Sequence, residues 1–227
     1  NLPLDTAWQE RITIQIPLDN CGAGGLANHG VRGISVGRGF FDEQYDISLG
    51  SEERYLHVFF YEVNRNFWPP YFNEAFDWAM DDELMNWGWW TVGMNNAMAV
   101  IMPDLLNVEL EYFGNESTWF RDRMMANFDT YKNDSNYNFD YGWRQEYMPW
   151  NPNESINDLM SGFILYSYET WGKETWLKNF YQSIGNVQPR SDVFAYQECR
   201  DNIYNIWSDA AEIDLLDLIL FSFIQCE

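Results

Sequence analysis

The sequence predicts an α+β fold, with a small β-rich N-terminal part and a mainly helical remainder. Arg11–Ile16 alternates apolar and polar residues with β-branched side chains, and Gly33–Gly37 repeats a short strand pattern. From Glu53 onward, apolar residues recur at helical spacing instead. At 227 residues, with 46% hydrophobic and 19% aromatic content, the chain has ample apolar area for one buried core. We expect a single domain over residues 1–227, β-rich over 1–50 and mainly helical over 51–227, with the helices segregated to one side.

In chain order, Arg11-Ile12-Thr13-Ile14-Gln15-Ile16 reads as a half-buried strand and the glycine-rich Cys21–Gly25 as a turn. Gly33-Ile34-Ser35-Val36-Gly37 reads as a second, edge strand, and Phe40-Phe41 as the approach to a helix. Ser51 is placed as the N-cap of that helix, with Glu52 and Glu53 in the first turn, where the helix dipole favours anions. Leu56, Phe59, Phe60, Val63 and Phe67 form an apolar stripe, and Pro69-Pro70 stops the helix. Further helices are expected over 72–82 and 91–102, the second ended by Pro103. Residues 127–152, rich in Asn, Asp and Tyr and without a period, read as a long surface excursion. Helical spacing resumes at Leu159, Phe163, Ile164 and Tyr166, in a helix from Ile156 to Trp171 with Gly172 as its stop. Helices over 173–184, 192–211 and 214–223 follow. The last apolar run, Leu215–Ile224, is interrupted by Asp217 and too short to cross a bilayer, so no transmembrane segment is expected.

The formal charge of −22, from 35 acidic against 13 basic residues, repels phosphate and argues against nucleic-acid binding. Its ordinary meaning is solubility, with diffuse attraction of divalent cations as the alternative. Asn115-Glu116-Ser117, Asn133-Asp134-Ser135 and Asn153-Glu154-Ser155 are N-glycosylation sequons in polar stretches, which favours a secreted, extracellular glycoprotein. Asn1–Asp5 lacks the basic start and apolar run of a signal peptide, so a mature, processed chain is expected. Cys21, Cys199 and Cys226 fit one disulfide of open connectivity plus one thiol, and the odd count allows a homo-oligomer bridged between chains.

The segment Tyr61-Glu62-Val63-Asn64-Arg65, inside the expected helix Glu53–Trp68, has the frame of the zinc-peptidase motif His-Glu-x-x-His. In that motif two imidazoles one turn apart hold the metal and the Glu between them is the general base. Here the Glu survives, while a phenol and a guanidinium stand at the ligand positions. Arg keeps its proton and so cannot ligate a cation. The order of strand, edge strand, signature helix and helical C-terminal lobe resembles the zincin-like, especially gluzincin-like, metallopeptidase fold. Asn73-Glu74-Ala75-Phe76-Asp77-Trp78 is similar to the segment from which gluzincins take their third ligand, which would make Glu74 that carboxylate. A second register puts Thr91–Met98 on the returning helix, with no carboxylate at the ligand position.

Other chemistry is weighed against plainer roles. His57, Tyr61 and Arg65 share one helix face, and His57 with Glu62 and Glu74 would make a displaced metal site. The plainer reading pairs Arg65 with Glu62 or Glu74, which neutralises charges a lost metal once balanced. His29 reads as a solvated loop residue. Asp77 and Asp81-Asp82-Glu83 precede Trp87-Gly88-Trp89-Trp90, carboxylates beside rings as in a sugar site, although such Trp runs more commonly anchor cores or interfaces. Asp129, Asp134 and Asp140 lack EF-hand spacing. No Gly-x-Ser-x-Gly elbow, P-loop or dinucleotide fingerprint is present, so covalent hydrolysis has no support.

The resemblance therefore implies a catalytically inactive, metallopeptidase-like extracellular module without cofactor or metal. Its degenerate cleft, with Tyr61, Glu62, Arg65, Glu74, Trp89 and Trp90, would meet a small-molecule, glycan or protein partner. The alternatives are an enzyme using Glu62 as acid or base without zinc, and an acidic matrix or assembly protein.

Overall fold

A computed structural model describes residues 13–17, 24–27, 33–49, 54–67, 89–112, 115–134, 156–186 and 195–216. Among them the fold is α+β and mostly helical, with small sheets. Strands β1 (Ile14–Gln15), β2 (Gly25–Ala27) and β3 (Ile34–Val36) precede helix α1 (Arg38–Leu49), strand β4 (Arg54–Leu56) and helix α2 (His57–Arg65). Helix α3 (Trp89–Leu106), strands β5 (Glu109–Tyr112) and β6 (Asn115–Glu116), and helices α4 (Ser117–Asn133), α5 (Ile156–Thr170), α6 (Glu174–Gly185) and α7 (Ala195–Ala211) complete the described chain. None of these helices is long and apolar enough to cross a membrane.

The described chain forms two compact units. The first holds the residues up to Phe67 together with Asn95–Asp122. One of its sheets has the order β1-β3-β2, with β1 parallel and β2 antiparallel to β3. The other has the order β4-β5-β6, with β4 parallel and β6 antiparallel to β5. Helix α2 packs on β2 and β3 over a core of Ala27, Ile34, Val36, Leu56 and Val58, flanked by Phe40, Ile47, Phe59 and Val63. These strands are three or four residues at most, too short to hold together without a helix against them. Gln44 of α1 supplies part of the missing pairing. Its carboxamide donates to the Arg54 carbonyl at 3.1 Å and accepts from the Leu56 N–H at 2.6 Å, as a neighbouring strand would.

The second unit holds Trp89–Met94 and the described residues from Arg123 onward. Its centre is aromatic. Phe163 stacks on Trp207 at 4.9 Å, Phe180 meets the same indole edge-on at 4.9 Å, and Trp176 stacks on Phe180 at 4.7 Å. Each such pair adds about 0.5–1.5 kcal/mol beyond area burial. The indole N–H of Trp207 donates to Ser167 Oγ at 3.1 Å, and Ser167 donates to the Phe163 carbonyl at 2.6 Å, so this polar pair is satisfied inside the core. Gly162 lets α5 approach α4 closely, since a Cβ there would collide with the Met124 carbonyl and lie 2.7 Å from Phe128 Cβ. Arg123 clasps the buried Asp158 through Nη2 at 2.7 Å and Nε at 2.8 Å.

Several sequence expectations hold: a strand lies within Gly33–Gly37, and α5, α6 and α7 lie where the spacing put them, but β3 is the central strand of its sheet, paired on both sides by β1 and β2, and not the expected edge strand. Gly172 takes a positive φ of 94° as the stop of α5, with Lys173 N–H reaching back to the Tyr168 carbonyl. Others are corrected. Ile14 and Ile16 are 45% and 38% exposed, so β1 is not half-buried; its alternation has no covering layer among the described residues. The run expected only to lead into the signature helix is the twelve-residue helix α1. The signature helix starts at His57, not near Ser51, because Arg54–Leu56 pairs with β5 as β4. Pro103 lies inside α3 and does not end it; the helix runs one turn further and closes at Asn107, φ 54°, where Val108 N–H meets the Pro103 carbonyl at 3.0 Å. The expected excursion from residue 127 begins in a helix, since α4 reaches Asn133 with Asn127, Phe128 and Tyr131 buried. The part from residue 51 onward, expected to be mainly helical, also carries β4, β5 and β6. The expected helix over 72–82 and residues 217–223 of the one expected over 214–223 lie outside the described residues, while Asp214 and Leu215 are not helical.

Candidate functional site

The site lies in the first unit and is organised by α2, which has polar contacts on two sides. Val58 and Glu62, one turn apart, are buried, and Asn66 follows at the same spacing. Glu62 faces β2, where a Cβ on Gly25 would lie 2.6 Å from Glu62 Cγ. The absence of a side chain at Gly25 therefore makes room for the glutamate. Its carboxylate receives Arg65 Nη1 at 3.3 Å and accepts a hydrogen bond from the Ala27 backbone N–H. Burial pushes its pKa above the ordinary glutamate value, and Arg65 and the Ala27 N–H oppose that rise. Asn66 Oδ1 accepts from the Gly33 N–H at 2.9 Å, which fixes the start of β3 where Gly33 has a φ of 115°.

On another side, α2 meets α3. Asn64 Nδ2 donates to Asn95 Oδ1 at 2.6 Å, with both residues fully buried. One residue further along α3, Asn96 Oδ1 lies 3.1 Å from His57 Nε2. That oxygen can only accept, so the shared proton sits on Nε2. The imidazole packs against Tyr61 at 5.3 Å and edge-on to Phe120 at 5.4 Å. Burial lowers its pKa from 6.5 to about 4, against the Asn96 hydrogen bond, which acts the other way. At neutral pH His57 is an uncharged member of this cluster.

The frame positions Tyr61, Glu62 and Arg65 are thus gathered with His57, as helical spacing anticipates, and Arg65 pairs with Glu62. No three His, Cys, Asp or Glu side chains converge as a metal group among the described residues. His57 bonds the α3 amide, and Glu74, the third member of the displaced site, lies outside the described residues. The returning helix brings amides to α2 at Asn95 and Asn96, within the Thr91–Met98 segment.

The chain matches no protein-family model, and comparison with curated proteins and with solved structures found no match.

Trp89 and Trp90 open α3, but their side chains lie outside the description, as do Glu74, His29, Asp77, Asp81, Asp82, Glu83, Asp140, Cys21, Cys226, Asn153 and the side chains of Cys199 and Asn115. Asn133 is exposed at the end of α4, its Nδ2 donating to the Asp129 carbonyl at 2.8 Å. Asp129 is engaged by Lys132 at 3.6 Å. Sequence reasoning did not single out Gly25, Ala27 or Asn64 as members of this site. The glycine run was read as a turn, although a Gly beside a strand also signals close approach. The Asn95-Asn96 doublet inside an apolar helical run was the signal for a buried amide network, because such groups enter a core only when paired.

Proposed function

We propose that the chain is a zincin-like extracellular module that has exchanged metal chemistry for binding, with a ligand surface where α2 faces the β2–β3 sheet. The carrying observation is that Glu62, at the position of a general base, is already held by Arg65 and by the Ala27 N–H. A zincin base needs a metal-bound water beside it. Here Arg65 supplies the positive charge from one of the ligand positions, and Tyr61 is packed against His57 at the other. The antiparallel β2 beside the helix, and the return of α3 with Asn95 against Asn64, support the same element arrangement. Secretion and glycosylation enter through the three sequons. Metal analysis of native protein after dialysis tests the reading: no stoichiometric zinc is expected, and a tightly held zinc in each chain overturns it.

One observation favours a second reading, an acid/base enzyme independent of zinc. Burial raises the Glu62 pKa above the ordinary carboxylate value, the direction in which carboxyls that act as general acids are tuned. Glu62→Gln would abolish any such activity, and a Gln variant with full activity eliminates this role.

A further inference from the structure

We propose that Glu62 is an internal cap on the outer edge of β2, an autoinhibitory contact that closes this edge to an incoming extended chain. The inference rests on the reading of this face as a ligand surface and adds the state in which the surface is held.

The ladder fixes the direction of each amide. In the β2–β3 pair, Gly37 N–H bonds the Gly24 carbonyl at 2.8 Å, and the register continues with Gly25 opposite Val36, Leu26 opposite Ser35 and Ala27 opposite Ile34. Hydrogen-bonded and non-hydrogen-bonded pairs alternate in an antiparallel ladder, so Gly25 and Ala27 turn their backbone groups away from β3. Ile34 agrees, because its N–H is given to Thr13 of the parallel neighbour at 2.9 Å. The Ala27 N–H is therefore an outward group of an edge strand, of the kind that templates pairing with another chain. Glu62 accepts it.

Two further features fit a cap. Gly25 leaves the space that the Glu62 side chain occupies, and Arg65 holds the carboxylate from the solvent-facing side of the pair, being 25% exposed against 5% for Glu62. The same unit treats β4 in the same way, with the Gln44 carboxamide on the Arg54 carbonyl and the Leu56 N–H. An extended peptide can pair with β2 at Ala27 only when its own carbonyl replaces the Glu62 carboxylate.

Amide hydrogen exchange of the whole chain by NMR tests this with two variants that approach the contact from opposite sides. Glu62→Ala removes the acceptor, while Gly25→Ala keeps the carboxylate and places a Cβ 2.6 Å from Glu62 Cγ; the Gly25 backbone is outside the left-handed region, so Ala adds no backbone strain and the Glu62 side chain is what must shift. Loss of a charge-assisted hydrogen bond predicts that the Ala27 amide exchanges about tenfold faster or more in both, with the Ile34 amide unchanged. If Glu62→Ala fails to fold, Gly25→Ala decides alone. An unchanged Ala27 rate in folded Gly25→Ala, or acceleration spread equally over Ala27 and Ile34, overturns the cap. No ligand is needed, so a tightly held zinc would defeat the functional reading while an Ala27 response still upheld the cap.

Discussion

The enclosed His57 predicts a specific loss of stability in acid. Its pKa falls from 6.5 to about 4 in the fold because burial among Tyr61, Phe120 and Asn96 opposes the imidazolium. The unfolded chain takes up a proton near 6.5, whereas the folded chain resists until about 4. The stabilisation is therefore complete above pH 6.5 and is lost progressively as pH falls through that window. At about 1.4 kcal/mol per pKa unit, this shift corresponds to about 3 kcal/mol. Urea unfolding of the wild type and of His57→Gln at a series of pH values isolates the effect, because Gln still donates to Asn96 and does not titrate. Subtracting the variant cancels the response of the 35 acidic residues, which both proteins share. The wild-type advantage should shrink by about 3 kcal/mol between about pH 7 and about pH 4. A difference that stays flat, or an imidazole that titrates near 6.5 by NMR, refutes the reasoning.

Glu62 should act with the opposite pH dependence. Its pKa is raised, so the fold favours the protonated carboxyl and loses stability as pH rises through the folded pKa; Glu62→Gln should flatten that slope in the same titration series. Asn64→Ala removes the Asn64 donor from the buried Asn95 oxygen and should lower unfolding free energy by about 1–3 kcal/mol in urea. Gly162→Ala should destabilise by about 1–3 kcal/mol, because the new methyl collides with the Met124 carbonyl. Gly39→Ala, with open space at the added Cβ, should be neutral or up to about 1 kcal/mol stabilising, and thermal melts of the two variants compare these directions directly. Gln44→Ala should speed amide exchange at Leu56 by about tenfold, and an unchanged rate would mean that the carboxamide does not serve as a strand partner.

The long helices were legible because local spacing suffices for them. Leu159, Phe163 and Ile164 mark one buried face of α5, and Gly172 supplies the left-handed residue that ends it. The short strands were less legible. Arg54–Leu56 continues the apolar pattern of the helix after it, and only pairing with β5, with Gln44 on the other edge, makes it a strand. Phe128 and Tyr131 sit among polar residues that suggested a loop, and their rings are buried by packing such as that of Phe128 on Phe163 at 5.4 Å. Pro103 failed as a stop because a proline removes one N–H, while the remaining turn is closed by bonds from Asn107 and Val108.

By itself the sequence determined the acidic character, the mixed fold class, and the helix on which Tyr61, Glu62 and Arg65 share a neighbourhood. Composition and the 3.6-residue period are local properties, and they survive into any compact state of the chain. The tertiary structure alone decided what those residues do. It put Gly25 and the Ala27 N–H against Glu62 and set Asn95 and Asn96 against Asn64 and His57. These partners lie more than thirty residues away in the chain, where no periodicity reaches and burial alone selects which polar groups must meet.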